Sequence, residues 1–234
     1  MRIADREIGA GHPCFIAAEI SGNHNGSLDR AIALINAADE AGADAVKFQA
    51  FSIDEILALR GMGQAPPPWE SMTLPELYAK VITPRDWFPP LFQEARNCGL
   101  IPFASVFGLE SLAMLELLDC PAYKTAAAEA LRHDLIQQVL DTGKPVLASW
   151  DGQEFARPLT PRPVGKLWWV YCPAGYPVSP SQIRLPDFGD TFFGLSCHCP
   201  DIVIGPIAVA RGASYLEFHL TLDDGVPTLD DCVN

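Results

Sequence analysis

Short apolar runs alternate with longer stretches whose apolar positions fall at helical spacing, and this alternation constrains the fold more than any other feature of the chain. Candidate strands lie at 15–19, 44–49, 101–105, 122–125, 145–149, 167–172, 193–196 and 214–219. Helical patterns follow several of them, at 28–41, 84–98, 109–118, 131–141 and 202–212. Strands that alternate with helices must run parallel, because each helix carries the chain back across the sheet. Eight such strands close naturally into a (β/α)8, TIM-type barrel, and the 234 residues suffice for one such domain over residues 1–234. A doubly wound open sheet is the alternative. It is disfavoured because no Gly-rich dinucleotide loop follows the first strand. The pattern lapses in three places. Residues 50–83, with their QAPPPW run, have no clear periodicity and read as a long functional or partner-binding loop. Residues 151–165 hold three prolines where a helix is due. The tail after His219 is too short for a standard last helix. The expected barrel is therefore reduced, with the helices after the fifth and eighth strands short or missing.

Charge narrows the partners. The formal net charge of −13 argues against nucleic acid or an anionic membrane as the main partner. It does not exclude small anionic substrates, since a few buried lysines can make a positive pocket within an acidic protein. The seven cysteines are odd in number and irregularly spaced, and residues 1–13 contain no apolar signal core. Free thiols and a cytoplasmic location are expected. No apolar run approaches the roughly 20 residues that cross a bilayer.

In a parallel barrel the C-terminal strand ends converge on one mouth, where chemistry is placed. The polar residues near those ends are Glu19, Lys47, Gln49, Ser105, Lys124, Ser149, Tyr176, Ser196, His198, Glu217 and His219. Lys47 and Lys124 interrupt apolar strands and need a partner. That partner is either a carboxylate such as Glu19 or Glu217, in a purely structural pair, or a phosphate or carboxylate ligand. A single strand-end histidine is usually a hydrogen-bonding residue. Two on adjacent strands also suit a divalent metal, with carboxylate and water oxygens completing the set for Mn2+, Fe2+ or Zn2+. Cys197-His198-Cys199 suggests a zinc cluster at first sight, but neighbouring strand residues point to opposite faces, so the cysteines are expected to face away from His198. Asn23-His24-Asn25-Gly26 is both a turn signal and a weak site candidate.

AEISGNHNGS (18–27), GADAVKFQ (42–49), PAYKTA (121–126), TGKPVLAS (142–149), GLSCH (194–198) and LEFHLTLD (216–223) resemble, in order and spacing, the strand-end motifs of the N-acetylneuraminate (sialic acid) synthase family. The resemblance covers about residues 14–231. It implies a (β/α)8 barrel that condenses phosphoenolpyruvate with an N-acetylhexosamine or related open-chain aldose, giving a nonulosonate and phosphate. It places the metal, Mn2+ first and Mg2+, Fe2+ or Zn2+ as alternatives, on His198 and His219. Phosphoenolpyruvate contacts fall on Lys47, Ser105, Lys124, Ser149 and Ser196. Sugar contacts fall on Glu19, Gln49, Tyr176, Glu217 and Asp230, with Glu19 or Glu217 managing protons.

The sequence departs from that pattern at several positions. Ala127 replaces a phosphate-binding serine, and Trp150-Asp151 put an indole and a carboxylate where a phosphate loop belongs. Ala174 replaces an asparagine, Cys197 an aspartate and Phe218 a basic residue. The family's C-terminal antifreeze-like domain has no counterpart in these residues, so the arginine it lends to a partner and the swapped dimer it cements are not expected. A homodimer formed through barrel flanks left bare remains open. Two further functions stay open: a metal-dependent lyase or aldolase on the same barrel, and a non-catalytic binding protein.

Overall fold

The computed structural model describes residues 1–152 and 165–233. Eight parallel strands form a closed barrel: β3 (Phe15–Glu19), β4 (Ala45–Ala50), β5 (Ile101–Val106), β6 (Tyr123–Thr125), β7 (Val146–Trp150), β8 (Leu167–Tyr171), β9 (Phe192–Cys197) and β10 (Tyr215–His219). Closure comes from β10 pairing with β3, Tyr215 opposite Phe15 and His219 opposite Glu19. Before the barrel lies a small antiparallel hairpin, β1 (Arg2–Ile3) and β2 (Arg6–Glu7), which the sequence pattern does not announce. Ile3 and Ile8 are buried and join the main core.

The helices form the outer layer. In α1 (Leu28–Glu40) the buried residues are Ala31, Leu34, Ile35 and Ala38, an apolar stripe along one face. Ser27 caps its first turn by accepting from the Arg30 amide at 3.3 Å. The helices α4 (Phe88–Asn97), α5 (Leu109–Leu117), α6 (His133–Asp141) and α7 (Ile204–Ala210) follow the expected strands. Between β8 and β9 the described residues hold only a 3-10 turn, Pro180–Gln182. No helix follows β10 among residues 220–233, as expected. The expected gap after β7 falls largely on 153–164, outside the described residues.

The sequence expectation fails at 50–83. The segment contains two helices, α2 (Ile53–Arg60) and α3 (Leu74–Val81), not a structureless loop. Each starts with a capping box, Ser52 with Glu55 and Thr73 with Glu76. Between them, Gln64 bridges Thr73, and the Ala65 amide donates to the Met72 carbonyl at 2.9 Å. Glu55 also reaches across to accept from the amides of Glu110 and Ser111 at 2.9 and 3.1 Å, fastening α2 to the start of α5. The excursion is thus a folded cover anchored beside the mouth.

The barrel leaves one position no side-chain volume. A methyl group at Gly194 on β9 would stand 2.1 Å from the Tyr215 carbonyl oxygen of β10. Backbone cannot yield as a flexible side chain does. Gly194→Ala is expected to destabilise the fold by about 1–3 kcal/mol or more through overpacking. The expected readout is a lower urea midpoint with an unchanged slope.

Candidate active site at the barrel mouth

Register sets the site. Glu19 lies opposite Lys47 and His219, Glu217 opposite Ser196, and Ser105 opposite Lys124. Paired residues on neighbouring parallel strands face the same side, so these side chains converge inside the barrel. They line a cavity of about 780 Å³ that opens at the C-terminal mouth. All twelve residues anticipated from the sequence line it: Glu19, Lys47, Gln49, Ser105, Lys124, Ser149, Tyr176, Ser196, His198, Glu217, His219 and Asp230.

The floor is a chain of alternating charge. Lys47 forms an ion pair with Glu19, reaches Glu217 at 3.2 Å and donates to Ser105 Oγ at 3.1 Å. Lys124 lies 3.6 Å from the same Glu217 oxygen and donates to Ser149 Oγ at 2.5 Å. Glu217 also accepts from Ser196 Oγ at 2.7 Å and from Tyr215 OH at 2.6 Å. Glu19 accepts from the Ser21 amide at 2.7 Å. Burial opposes charge on Lys47, Lys124 and Glu217, and partners decide the balance. For Glu217 the burial penalty is outweighed by the two lysines and the two hydroxyls, and its pKa is held well below the usual carboxylate range. For Lys47, Glu19 and Glu217 outweigh burial and the pKa is raised. For Lys124 burial, reinforced by Lys47, wins and the pKa is lowered.

The lysines differ in spare capacity. An ammonium has three N–H donors. Those of Lys47 face Glu19, Glu217 and Ser105, whereas Lys124 has Ser149 and the more distant Glu217. Lys124 is the cation with room for an added anion. The carboxylate-pair alternative for these lysines is therefore present in the structure, and ligand binding must be superimposed on it.

The second cluster sits above the floor. Asp230 accepts from Tyr176 OH at 2.6 Å and faces His219 Nδ1 at 3.3 Å. The His198 and His219 rings lie 5.3 Å apart between centroids, and Tyr176 packs against His198 at 4.6 Å. Burial and the neighbouring His219 push the His198 pKa down to about 3, so its ring is neutral and able to donate a lone pair. Burial also opposes charge on His219, but Asp230 outweighs it and raises the pKa. The donor chemistry fits a divalent cation: two imidazoles at one cavity, one oriented from behind by a carboxylate as metal-binding histidines usually are. Among the described residues no three His, Cys, Asp or Glu side chains gather in a ready-made cage. Water or substrate oxygens would have to complete the set.

The departures in sequence resolve differently. Ala127 and Asp151 do line the cavity, as does Ala174. Trp150 does not block the phosphate region as expected. Ser149 points inward to Lys124, so the next residue points outward, and Trp150 packs against Trp169 and Phe192 with centroids 6.3 and 5.3 Å away. Phe218 likewise faces out, against Gly205 of α7. Cys197 and Cys199 are buried in the core, away from the cavity lining. His24 is structural: it accepts from the Gly26 amide at 3.1 Å and contacts Thr83 Oγ1 at 3.3 Å.

Sequence reasoning missed the cavity residues of the excursion and Cys172. Arg60 at the end of α2 lines the cavity and pairs with Glu129 at 2.5 Å. Pro66, Pro67, Trp69, Leu74, Leu77 and Tyr78 form a wall. The available signals were the two capping boxes and the helical spacing Leu74, Leu77, Tyr78, Val81.

Fold and site together define a parallel barrel whose mouth holds two buried lysines, two buried glutamates and two imidazoles. The model of the NeuB family matches residues 34–233, and the chain belongs to that family. Pseudaminic acid synthase of Helicobacter pylori is 32% identical over 93% of this chain and 68% of that protein. The spore coat polysaccharide biosynthesis protein SpsE of Bacillus subtilis is 30% identical over 98% of this chain and 65% of its own length. Human N-acetylneuraminate-9-phosphate synthase is 30% identical over 93% and 65%. The chain thus spans about two thirds of the length of these curated relatives. The SpsE crystal structure superposes with a TM-score of 0.75 at 28% identity, covering all of this chain and 66% of that one. An N-acetylneuraminic acid synthetase from Leptospira borgpetersenii, at 22% identity, shares the fold with a TM-score of 0.79. Among the described residues no helix is long and apolar enough to cross a membrane.

Removing one member of a buried charge chain leaves its partners uncompensated. Lys47→Met is expected to cost about 3–5 kcal/mol, because Glu19 and Glu217 then face each other without their shared cation. Chemical denaturation checks this. A Lys47→Met/Glu19→Leu double variant should recover part of the loss.

Proposed function

We propose that the chain is a synthase that joins phosphoenolpyruvate to an open-chain aldose or N-acetylhexosamine, giving a sialic-acid-like nonulosonate. The observation that carries this is the Glu19–Lys47–Glu217–Lys124 chain at the mouth of a NeuB-family barrel. In the reaction C3 of phosphoenolpyruvate bonds to the aldehyde carbon, water adds at C2, and the C2–O bond to phosphate breaks. Inorganic phosphate leaves.

Each residue has work matched to its surroundings. Lys124, with donor capacity left over, binds the phosphate or carboxylate of phosphoenolpyruvate, with Ser149 beside it. Lys47 and Ser105 hold the other anionic end, and Ser196 steadies Glu217. Fixed charges in a water-poor pocket stabilise charge developing in the transition state. Glu19 moves the proton of the attacking water, because the two lysines beside Glu217 leave that carboxylate too weak a base. Gln49, Tyr176 and Asp230 orient the sugar. His198 and His219 hold a divalent cation, Mn2+ in first place. When bound, that cation supplies Lewis-acid polarisation of the aldehyde oxygen.

One observation favours a second reading. Asp151 in the cavity and Ala127 in place of a hydroxyl weaken the phosphate cradle, which suits a metal-dependent lyase or aldolase. Sugar-dependent phosphate release from phosphoenolpyruvate with Mn2+ separates the two. The synthase gives release that needs both substrates, and Lys124→Ala lowers it at least about 100-fold, a loss in the range of removed electrostatic groups. Absence of release across a broad aldose panel sinks the synthase. Calorimetric titration of Mn2+ tests the cation site directly: the His198→Ala/His219→Ala variant should lose the binding isotherm that the unaltered chain gives.

A further inference from the structure

A second, smaller cavity lies outside the barrel mouth. It is a crevice of about 150 Å³ between the start of α2, the segment 82–88 that leads into α4, and the first turns of α5. Phe51, Ile82, Phe88 and Met114 make its apolar lining. Phe51 is the only described residue that the crevice shares with the mouth cavity, so its ring separates the two. A cavity of this volume lined by apolar side chains holds a benzene-sized group.

Most polar groups of the crevice are already engaged. Glu55 accepts from the amides of Ser52, Glu110 and Ser111 at 3.0, 2.9 and 3.1 Å and from the Ser111 hydroxyl, so the start of α5 is capped from within the chain. Ser52 Oγ accepts from the Glu55 amide at 3.1 Å, and Thr83 Oγ1 contacts His24 Nε2 at 3.3 Å. Two exposed side chains at the rim are left over, Arg85 and Glu110. Among the described residues neither side chain has a hydrogen bond or an ion pair. Arg85 stands apart in this. Every other described arginine donates to a carboxylate or to a backbone carbonyl. An arginine without a carboxylate is the less expected in a chain where 29 acidic residues outnumber 16 basic ones.

The three features call for one kind of ligand. A guanidinium takes a carboxylate. A free carboxylate at the same rim takes an ammonium, and the lining between them takes an apolar group. Pockets commonly combine such a lining with a few polar groups that fix orientation. An α-amino acid carries all three groups on one carbon. We propose that this crevice is a second binding site, separate from the mouth, for a free α-amino acid with an apolar side chain of leucine or phenylalanine size. The carboxylate rests on Arg85, the ammonium on Glu110, and the side chain enters between Phe51, Phe88 and Met114. Phe51 packs against Phe107 and Tyr78, which line the mouth, with centroids 5.5 and 5.8 Å away. The bound side chain therefore backs one wall of the mouth.

Calorimetric titration of the full chain tests this and needs no turnover. The probes are leucine and phenylalanine, and three compounds that each lack one feature of leucine: alanine, isocaproate without the ammonium, and isoamylamine without the carboxylate. Leucine and phenylalanine should bind saturably. Alanine should bind about 50-fold more weakly than leucine, the transfer effect of three carbons. Isocaproate and isoamylamine should each bind about tenfold more weakly or worse, the scale of one lost charged hydrogen-bonding contact. Arg85→Gln should weaken leucine about tenfold and leave it level with isoamylamine, and Glu110→Gln should leave it level with isocaproate. Both residues are exposed and lie outside the mouth lining, so neither change threatens the fold or the charged floor. No saturable binding of either amino acid overturns the inference. So does binding that survives Arg85→Gln and falls with Lys124→Ala, because the ligand would then sit in the mouth.

Discussion

Four side chains in alternating charge order, Glu19, Lys47, Glu217 and Lys124, set the terms for the rest of the barrel. None is exposed beyond about 6%. Burying any one alone would cost several kcal/mol. Each is acceptable only because strand register delivers the next charge beside it: Glu19 opposite Lys47, and Glu217 opposite a serine that hydrogen-bonds it. A slip of one residue on β4 or β10 would turn a lysine or glutamate outward and leave its partners unpaired. The charge chain therefore fixes register as firmly as the apolar core does. It also keeps the mouth near neutrality, so an incoming anion meets cations already held in place.

The barrel and most of its mouth were legible from the sequence for one reason. A parallel strand buried on both faces has no use for Lys, Glu or His except at its functional end, so Glu19, Lys47, Lys124, Glu217 and His219 stood out against their apolar neighbours. The period of two told equally well which side Trp150 takes once Ser149 is placed inward. The excursion was harder. Its helices are eight residues each, and tertiary contacts stabilise them more than their own periodicity does. Glu55 illustrates this: it closes a capping box on Ser52 and at the same time caps the distant α5, a contact that no local pattern predicts. The N-terminal hairpin, with two residues per strand, lies below what alternation can reveal.

Asp230 shows how the remainder of the site depends on parts that carry no chemistry. It lies on an irregular tail beyond the last strand, with no ladder to hold it. Its position is set by side chains elsewhere: Asn23 donates to the Leu220 carbonyl at 2.7 Å, Asn25 to Pro227 at 2.9 Å, and Trp69 to Leu229 at 3.0 Å. Arg30 adds an ion pair with Asp224 and a bond to the Asn23 carbonyl at 2.8 Å. The NHNG turn after the first strand, which reads as a possible site, is thus a clamp. It orders the tail whose aspartate orients Tyr176 and His219. This gives a physical reason for a polar turn so close to the mouth without any of its groups entering the cavity lining. The loop's polar atoms satisfy tail carbonyls that would otherwise be left with no partner near an apolar wall. Trp69 joins the tail to the excursion. A change in either therefore reaches Tyr176 and His219 through Asp230.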